Sequence, residues 1–160
     1  MKTILTIMGA AAFFIVTGCS TAPVAVAPVG PNPSGLQTAY GNGQLVVYSQ
    51  LSGRMEGNNQ TWKQHSDYSI YDSRGHRLDL VQNSNGYYDT APKAISLPPG
   101  KYFVVARAAR TGRIRVPVLI KPGEVTEVHL DANWQPTGTG GSDLVTAPEG
   151  YPIGWRADAK

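Results

Sequence analysis

The chain has 160 residues, of which 18 are glycine and 12 are proline, and only 16% are charged. This composition favours one small β-rich domain with irregular ends, and it excludes two large domains. The formal net charge of +3 is too small, and the basic residues are too scattered, to indicate nucleic-acid binding.

Residues 1–18 have the pattern of a secretory signal peptide. Lys2 supplies the positive start, and the apolar stretch over 4–16 is shorter than the ~20 residues that span a bilayer. Small residues then stand directly before Cys19, the only cysteine of the chain. A single cysteine cannot form an intramolecular disulfide, which leaves a buried thiol or a modified one.

The run VTGC, which ends at Cys19, resembles the lipobox of bacterial lipoproteins. This resemblance implies that the signal peptide is cut before Cys19 and that acyl chains on this residue hold the protein in a membrane. Each buried methylene contributes ~0.8 kcal/mol, so several chains anchor a protein permanently. Ser20 stands where an aspartate would favour retention in the inner membrane in this family. The expected location is therefore the cell envelope, at the outer membrane.

Residues 19–42 form the acylated cysteine and a Pro/Ala-rich tether. The part from residue 20 onward contains four prolines and no charged residue. Proline cannot continue a helix or an internal strand, so the pattern predicts an extended spacer. Such a spacer would reach ~27 Å as a flexible coil and ~70 Å as a polyproline helix.

Residues 43–131 alternate short β-prone runs with turn residues, which predicts an antiparallel β-sandwich of about seven strands. The motifs PPG at 98–100 and KPG at 121–123 predict type II turns, in which the glycine has a positive φ. The predicted strands are 44–50, 68–72, 76–81, 94–97, 101–110, 114–120 and 125–130.

The strongest sign of a two-layer core comes from the neighbouring strands 101–110 and 114–120. Every second residue of each is small or apolar, so one face of each strand meets the same core. A three-residue loop with Gly112 in the left-handed conformation, pairing residue 110 with 114, places the two apolar sets together. Pro117 lacks an amide hydrogen, which predicts an edge or bulged strand. The apolar sets are Tyr102, Val104, Ala106 and Ala108 on the first strand and Ile114, Val116, Val118 and Ile120 on the second.

The runs ISLPPGKYFVVARA and GRIRVPVLIKPGEVTEVHL resemble the carboxypeptidase-regulatory-like and prealbumin-like domains. The resemblance covers residues 43–131, and Arg113 departs from it where these domains often have an aromatic residue after the glycine. It implies a non-catalytic sandwich used for folding support, adhesion or sugar contact. A fold does not identify a site, so no site residue is transferred from these domains.

We expect no enzyme, no cofactor and no metal. The histidines lie on separate segments, and the nearest metal candidate joins HSD at 65–67 to DSRGH at 72–76, two runs that turns explain equally well. No serine lies in a G-x-S-x-G elbow, and no carboxylate pair is favoured for glycoside hydrolysis.

The outer face of the two central strands offers a partner surface. We expect Arg107 to lie opposite Arg115 on this face, and like charges across a strand pair are destabilising unless an anion lies nearby. In one interpretation the C-terminal segment, 132–160, packs on the sandwich and covers the apolar part of this face. In the other, Arg107 and Arg115, with Arg110 or Arg113 at the rim, hold an anionic envelope polymer or a partner protein.

A third surface is formed by the aromatic loops that contain Trp62, Tyr87 and Tyr88, a mixture that sugar-binding loops use for stacking. Packing of Trp62 in the core is the alternative. The preferred hypothesis is thus a non-catalytic, lipid-anchored envelope protein with a structural or adaptor role. It contacts the membrane through Cys19 and binds another envelope component, a protein or a glycan. The alternative hypothesis is a carbohydrate-binding module.

Overall fold

The β-prone runs form the strands of two packed sheets in a computed structural model, which describes residues 24–35, 41–56, 60–84, 90–136 and 143–158. These residues contain thirteen strands and no α-helix. The strands are β1 (Val24–Ala25), β2 (Val29–Gly30), β3 (Gly43–Tyr48), β4 (Leu51–Glu56), β5 (Gln60–His65), β6 (Tyr68–Asp72), β7 (Arg77–Val81), β8 (Ala94–Leu97), β9 (Gly100–Ala108), β10 (Gly112–Ile120), β11 (Val125–His129), β12 (Leu144–Thr146) and β13 (Pro152–Arg156).

The larger sheet has the strand order β12-β13-β2-β10-β9-β6-β7, with β1 also paired to β10. The smaller sheet has the order β11-β3-β8, and β4 with β5 forms a separate hairpin. The all-β sandwich is confirmed, and each of the seven predicted strands is present. The sandwich is larger than predicted, and it is not wholly antiparallel, because β3 pairs with β11, and β10 with β1 and β2, in parallel.

The core lies between the inner faces of the two sheets. Leu45 and Val47 of β3 alternate with partly exposed residues, as do the inner residues of β10. This alternation puts each fully buried side chain on one face of its strand. The predicted core faces of β9 and β10 are confirmed, and only Tyr102 among them is partly exposed. The largest fully buried side chains are Tyr68, Leu45, Ile70, Ile114, Ile120, Leu130, Ile153, Val29, Val47, Val104, Val116 and Val118.

The turn between β9 and β10 differs from the prediction in its position. Ala108 pairs with Gly112, so the three-residue loop is 109–111 and the predicted pairing of 110 with 114 is wrong. The amide of Ala109 donates instead to the carbonyl of Leu130, at 2.7 Å, which removes residue 109 from the ladder. Gly112 has φ of 80°, as predicted. In both the predicted and the observed register, even-numbered residues of β9 pair with even-numbered residues of β10. The assignment of side chains to the two faces is therefore unaffected.

Two local predictions about proline are wrong. β10 is an internal strand, with β9 on one side and β1 and β2 on the other. Pro117 lies between the residues that pair with β1 and with β2, so the missing amide hydrogen falls in the gap between these two short strands. At the PPG run, Gly100 begins β9 and does not have a positive φ, whereas Gly123 of the KPG run has φ of 70° as predicted.

Both terminal segments contribute to the core. β1 and β2 lie in the segment predicted to be an extended spacer, and β12 and β13 lie in the C-terminal segment. Val29 of β2 is fully buried, and the prolines that flank it, Pro28 and Pro31, lie outside the strand. At the other end, β12 and β13 extend the sheet beyond β2 and bury Ile153 completely. Gly154 permits the close approach of β13, because a Cβ there would lie 2.5 Å from Cγ1 of Val29.

Candidate functional site

Three arginines gather on the outer face of the larger sheet. Arg107 of β9 pairs directly with Arg113 of β10, and Arg115 is two residues further along the same face. The predicted pairing of Arg107 with Arg115 is therefore wrong, although both side chains lie on the predicted surface. With Val105 and Tyr71, these arginines form what we call the arginine face. The period of two along each strand produces it, since the same odd-numbered positions that leave the core point outward.

The arginine face is cationic and concave. Among the residues that the structure describes, none of its three arginines has a carboxylate within salt-bridge distance. One cavity of about 490 Å³ is lined by Asp67, Arg107 and Arg113, among others, and a second of about 310 Å³ is lined by Tyr71, Arg113 and Arg115. Val105 and Arg113 line both cavities, so the two are adjacent.

The side chain of Arg115 packs on the ring of Phe103. Its guanidinium carbon lies 3.8 Å from the centroid of the Phe103 ring, which is close enough for a strong cation–π contact. Its Nε is buried and has no hydrogen-bond partner among the described residues. The ring therefore orients the guanidinium, and the remaining donors of the guanidinium are left for an external acceptor.

A separate apolar groove lies at the opposite end of the same face, with a volume of about 620 Å³. Residues of β9 and β10, including Phe103, line it together with the last described residues of the chain. Nothing in the described residues shows what covers this groove. Its lining residues are Pro28, Ser73, Lys101, Tyr102, Phe103, Pro117, Val118, Leu119, Arg156, Ala157 and Asp158.

A column of aromatic rings joins the two sheets and was not predicted. His129 stacks between Tyr48 and Trp134, with ring centroids at 4.4 and 4.3 Å, and Trp134 meets Trp155 edge to face at 5.9 Å. Nε2 of His129 lies 3.7 Å from a carboxylate oxygen of Glu127. The column packs the smaller sheet against β13, so its contacts are structural.

Two pKa values in this column are shifted. Contact with His129 lowers the pKa of Glu127, and this effect outweighs the opposing effect of partial burial. Partial burial raises the pKa of Tyr48, and the nearby Glu127 and Asp131 raise it further, since a tyrosinate there would be repelled by both carboxylates. The outward positions of Tyr48 and His129, which are cross-strand neighbours, are the signal in the sequence that could have indicated this contact.

The two runs weighed as the nearest metal candidate, 65–67 and 72–76, take part in separate polar contacts. Nδ1 of His65 lies 2.6 Å from the carbonyl oxygen of Ser49, and the buried amide of Asn83 donates to the carbonyl of Val47 at 2.7 Å. His76 instead contacts the Asp72 carboxylate at 3.2 Å across the β6–β7 turn. The two runs therefore do not converge. Within the described part of the chain, no group of three His, Cys, Asp or Glu side chains could hold a metal ion.

The remaining predicted site residues are not placed. Cys19, Tyr87 and Tyr88 lie outside the described residues, and for Trp62 only the backbone position in β5, opposite Arg54, is described. In the described ranges, no helix is both long enough and apolar enough to cross a membrane.

The comparisons with known proteins add no relative. No protein-family model matches the chain. No curated protein is significantly similar to it. No solved structure matches it either.

Proposed function

We propose that this protein is a non-catalytic, lipid-anchored component of the cell envelope, at the outer membrane, with a structural or adaptor role. In this proposal Cys19 carries the acyl chains, as its resemblance to the lipobox implies. The sandwich, whose sequence resembles carboxypeptidase-regulatory-like domains, holds an anionic envelope component on the arginine face. The carbohydrate-binding alternative depends on Trp62, Tyr87 and Tyr88, and it stays a prediction.

The observation that supports the proposal best is a pair of arginines that face each other with no carboxylate to neutralise them. Arg107 and Arg113 lie opposite each other, Arg115 follows on the same face, and no described carboxylate forms an ion pair with them. Like charges in directly opposite positions destabilise a strand pair. An anion bound between them relieves the repulsion and accepts charge-assisted hydrogen bonds, which are stronger than neutral ones. This arrangement supports anion binding better than it supports a role in stability.

The binding part is tested by retention on a phosphate-bearing matrix and on a matched uncharged matrix. We expect the wild-type protein to be retained on the charged matrix at low salt and released at high salt, because exposed charges are screened. The double variant Arg107→Ala with Arg115→Ala should lose most of this retention. Equal retention of both proteins would refute the role of the arginine face.

The anchor is tested independently by intact-mass analysis of material exported by a bacterial host. The expected product begins at Cys19 and carries the mass of its acyl chains, and it partitions into detergent. The matched variant Cys19→Ser should remain in the aqueous phase. An unmodified Cys19 in the exported wild-type protein would overturn the anchor and leave the test of the arginine face unaffected.

A further inference from the structure

We infer that the anionic component held by the arginine face is the phospholipid headgroup layer of the membrane that carries the anchor. This inference rests on the proposed function, because it needs the acylated Cys19, and it names the partner of the same face. The observation behind it is the place at which the N-terminal chain joins the larger sheet.

The chain enters the sheet directly beside the arginine face. Val24 of β1 pairs with Ile114, and Ala25 pairs with Arg115. Neighbouring strands are ~4.8 Å apart, so the backbone of Ala25 adjoins that of Arg115. Because β1 runs parallel to β10, the chain arrives from the end of the sheet at which β10 begins. That end carries the β9–β10 turn.

The link between the anchor and the sheet is short. Only residues 20–23 separate Cys19 from β1, and the path from Cys19 to Val24 spans at most ~18 Å. The sequence pattern alone predicted a spacer of ~27 to ~70 Å, which would have let the domain move freely above the headgroups. A link this short keeps the effective concentration of the domain at the bilayer surface high, so weak individual attractions suffice for docking.

Positive charge is concentrated at the same end of the sheet. The pair next to the β9–β10 turn is Ala108 with Gly112, and the following pair is Arg107 with Arg113. Arg110 lies in the turn itself. Among the residues that line the two cavities, Asp67 supplies the one carboxylate. Glu149, which accepts a hydrogen bond from the hydroxyl of Thr111, and Asp131 lie close to Arg110 and Tyr151 instead. The three outward arginines carry more positive charge than Asp67 can neutralise, so the arginine face is cationic.

An anionic headgroup layer fits this face better than a folded protein does. Phosphodiester groups are mobile and numerous, so they can meet three guanidinium groups whose spacing is set by the sheet. Each arginine near an anionic bilayer strengthens binding by about fivefold. Tyr71 also lies on the arginine face, and tyrosine side chains are favoured at the headgroup level.

The first test uses the acylated full-length mature protein in phosphatidylcholine vesicles, with and without phosphatidylglycerol. Hydrogen exchange of the amides over 107–115 is measured in both. We expect exchange over this range to slow severalfold only in the anionic vesicles, and to recover at high salt as the charges are screened. Equal exchange in both kinds of vesicle would overturn the inference, even with Cys19 fully acylated.

The second test removes the anchor and measures the face alone. The mature chain with Cys19→Ser is titrated with the same two kinds of vesicle. The further double variant Arg107→Gln with Arg115→Gln should lower the partition coefficient on anionic vesicles by on the order of 20-fold. The matched double variant Lys101→Gln with Lys121→Gln removes the same charge at the far end of the sheet, and it should lower the coefficient much less.

These outcomes separate the possible failures. Similar losses in both double variants would show nonspecific attraction to net charge and refute the docking face. Retention on the phosphate-bearing matrix without binding to anionic vesicles would refute the lipid partner and leave the proposed anion binding intact. Thermal unfolding of each variant checks that its fold is retained.

Discussion

The inner and outer faces of β9 and β10 share one backbone and differ in what their side chains do. On the inner face Val104, Ile114 and Val116 are fully buried within the core. On the outer face Arg107 opposes Arg113, a contact that lowers the stability of a strand pair. The inner face therefore stabilises the fold, whereas the outer face carries like charges that no described carboxylate compensates.

The largest expected effect on stability comes from removing a buried side chain from the inner face. Ile114→Ala should lower the free energy of unfolding by about 2–5 kcal/mol, because it removes a fully buried side chain and leaves a cavity. Leu119→Ala, on the outer face of the same strand, is the matched control and should cost less than ~1 kcal/mol. Urea unfolding measures both, and equal losses would contradict the division between the faces.

A second, smaller effect is expected where β13 closes the core. Gly154→Ala should destabilise the protein by about 1–3 kcal/mol, since the added Cβ would lie 2.5 Å from Cγ1 of Val29 and 2.9 Å from the carbonyl oxygen of Glu127. Combining it with Val29→Ala relieves one of these two contacts. The loss of stability in the double variant should therefore be smaller than the sum of the losses in the two single variants. Strict additivity in thermal unfolding would place the clash elsewhere.

The third prediction concerns the aromatic column that connects the smaller sheet to β13. The pKa of Glu127 is lowered below its ordinary value of 4.5 by contact with His129. A lowered pKa in the folded state contributes stability above pH 4.5 that is lost as the pH falls through the folded value. Glu127→Gln should thus flatten the decrease of the melting temperature as the pH falls below about 4.5. Glu124→Gln is the control and should keep the wild-type profile.

The smallest effect should be opposite in sign. Arg107→Gln removes one member of the Arg107–Arg113 pair, so the free energy of unfolding should rise by about 0.2–0.5 kcal/mol at low salt. The gain should shrink at high salt, because salt screens the repulsion. Differential calorimetry at two ionic strengths measures it. A clear loss of stability at both would show that Arg107 stabilises the fold, contrary to the proposed role of the outer face.

The alternating pattern of β9 and β10 was sufficient to predict their core faces and to place Arg107 and Arg115 outward, because side-chain direction in a strand depends only on parity. The register was not predictable in the same way. It depends on the amide of Ala109 donating to Leu130, a contact between residues distant in sequence. The β4–β5 hairpin was missed because its segments contain few β-branched or aromatic residues.

The sequence by itself determined the β-class of the domain, most of its strands and the glycine turns at Gly112 and Gly123. These features depend on local conformational preference and on periods of two. Only the tertiary structure decided that Val24 to Gly30 joins β10, that β13 closes the core, and that Arg107 meets Arg113. Short terminal strands have little preference of their own, and they become strands because an existing sheet supplies the hydrogen-bond partners and the buried surface.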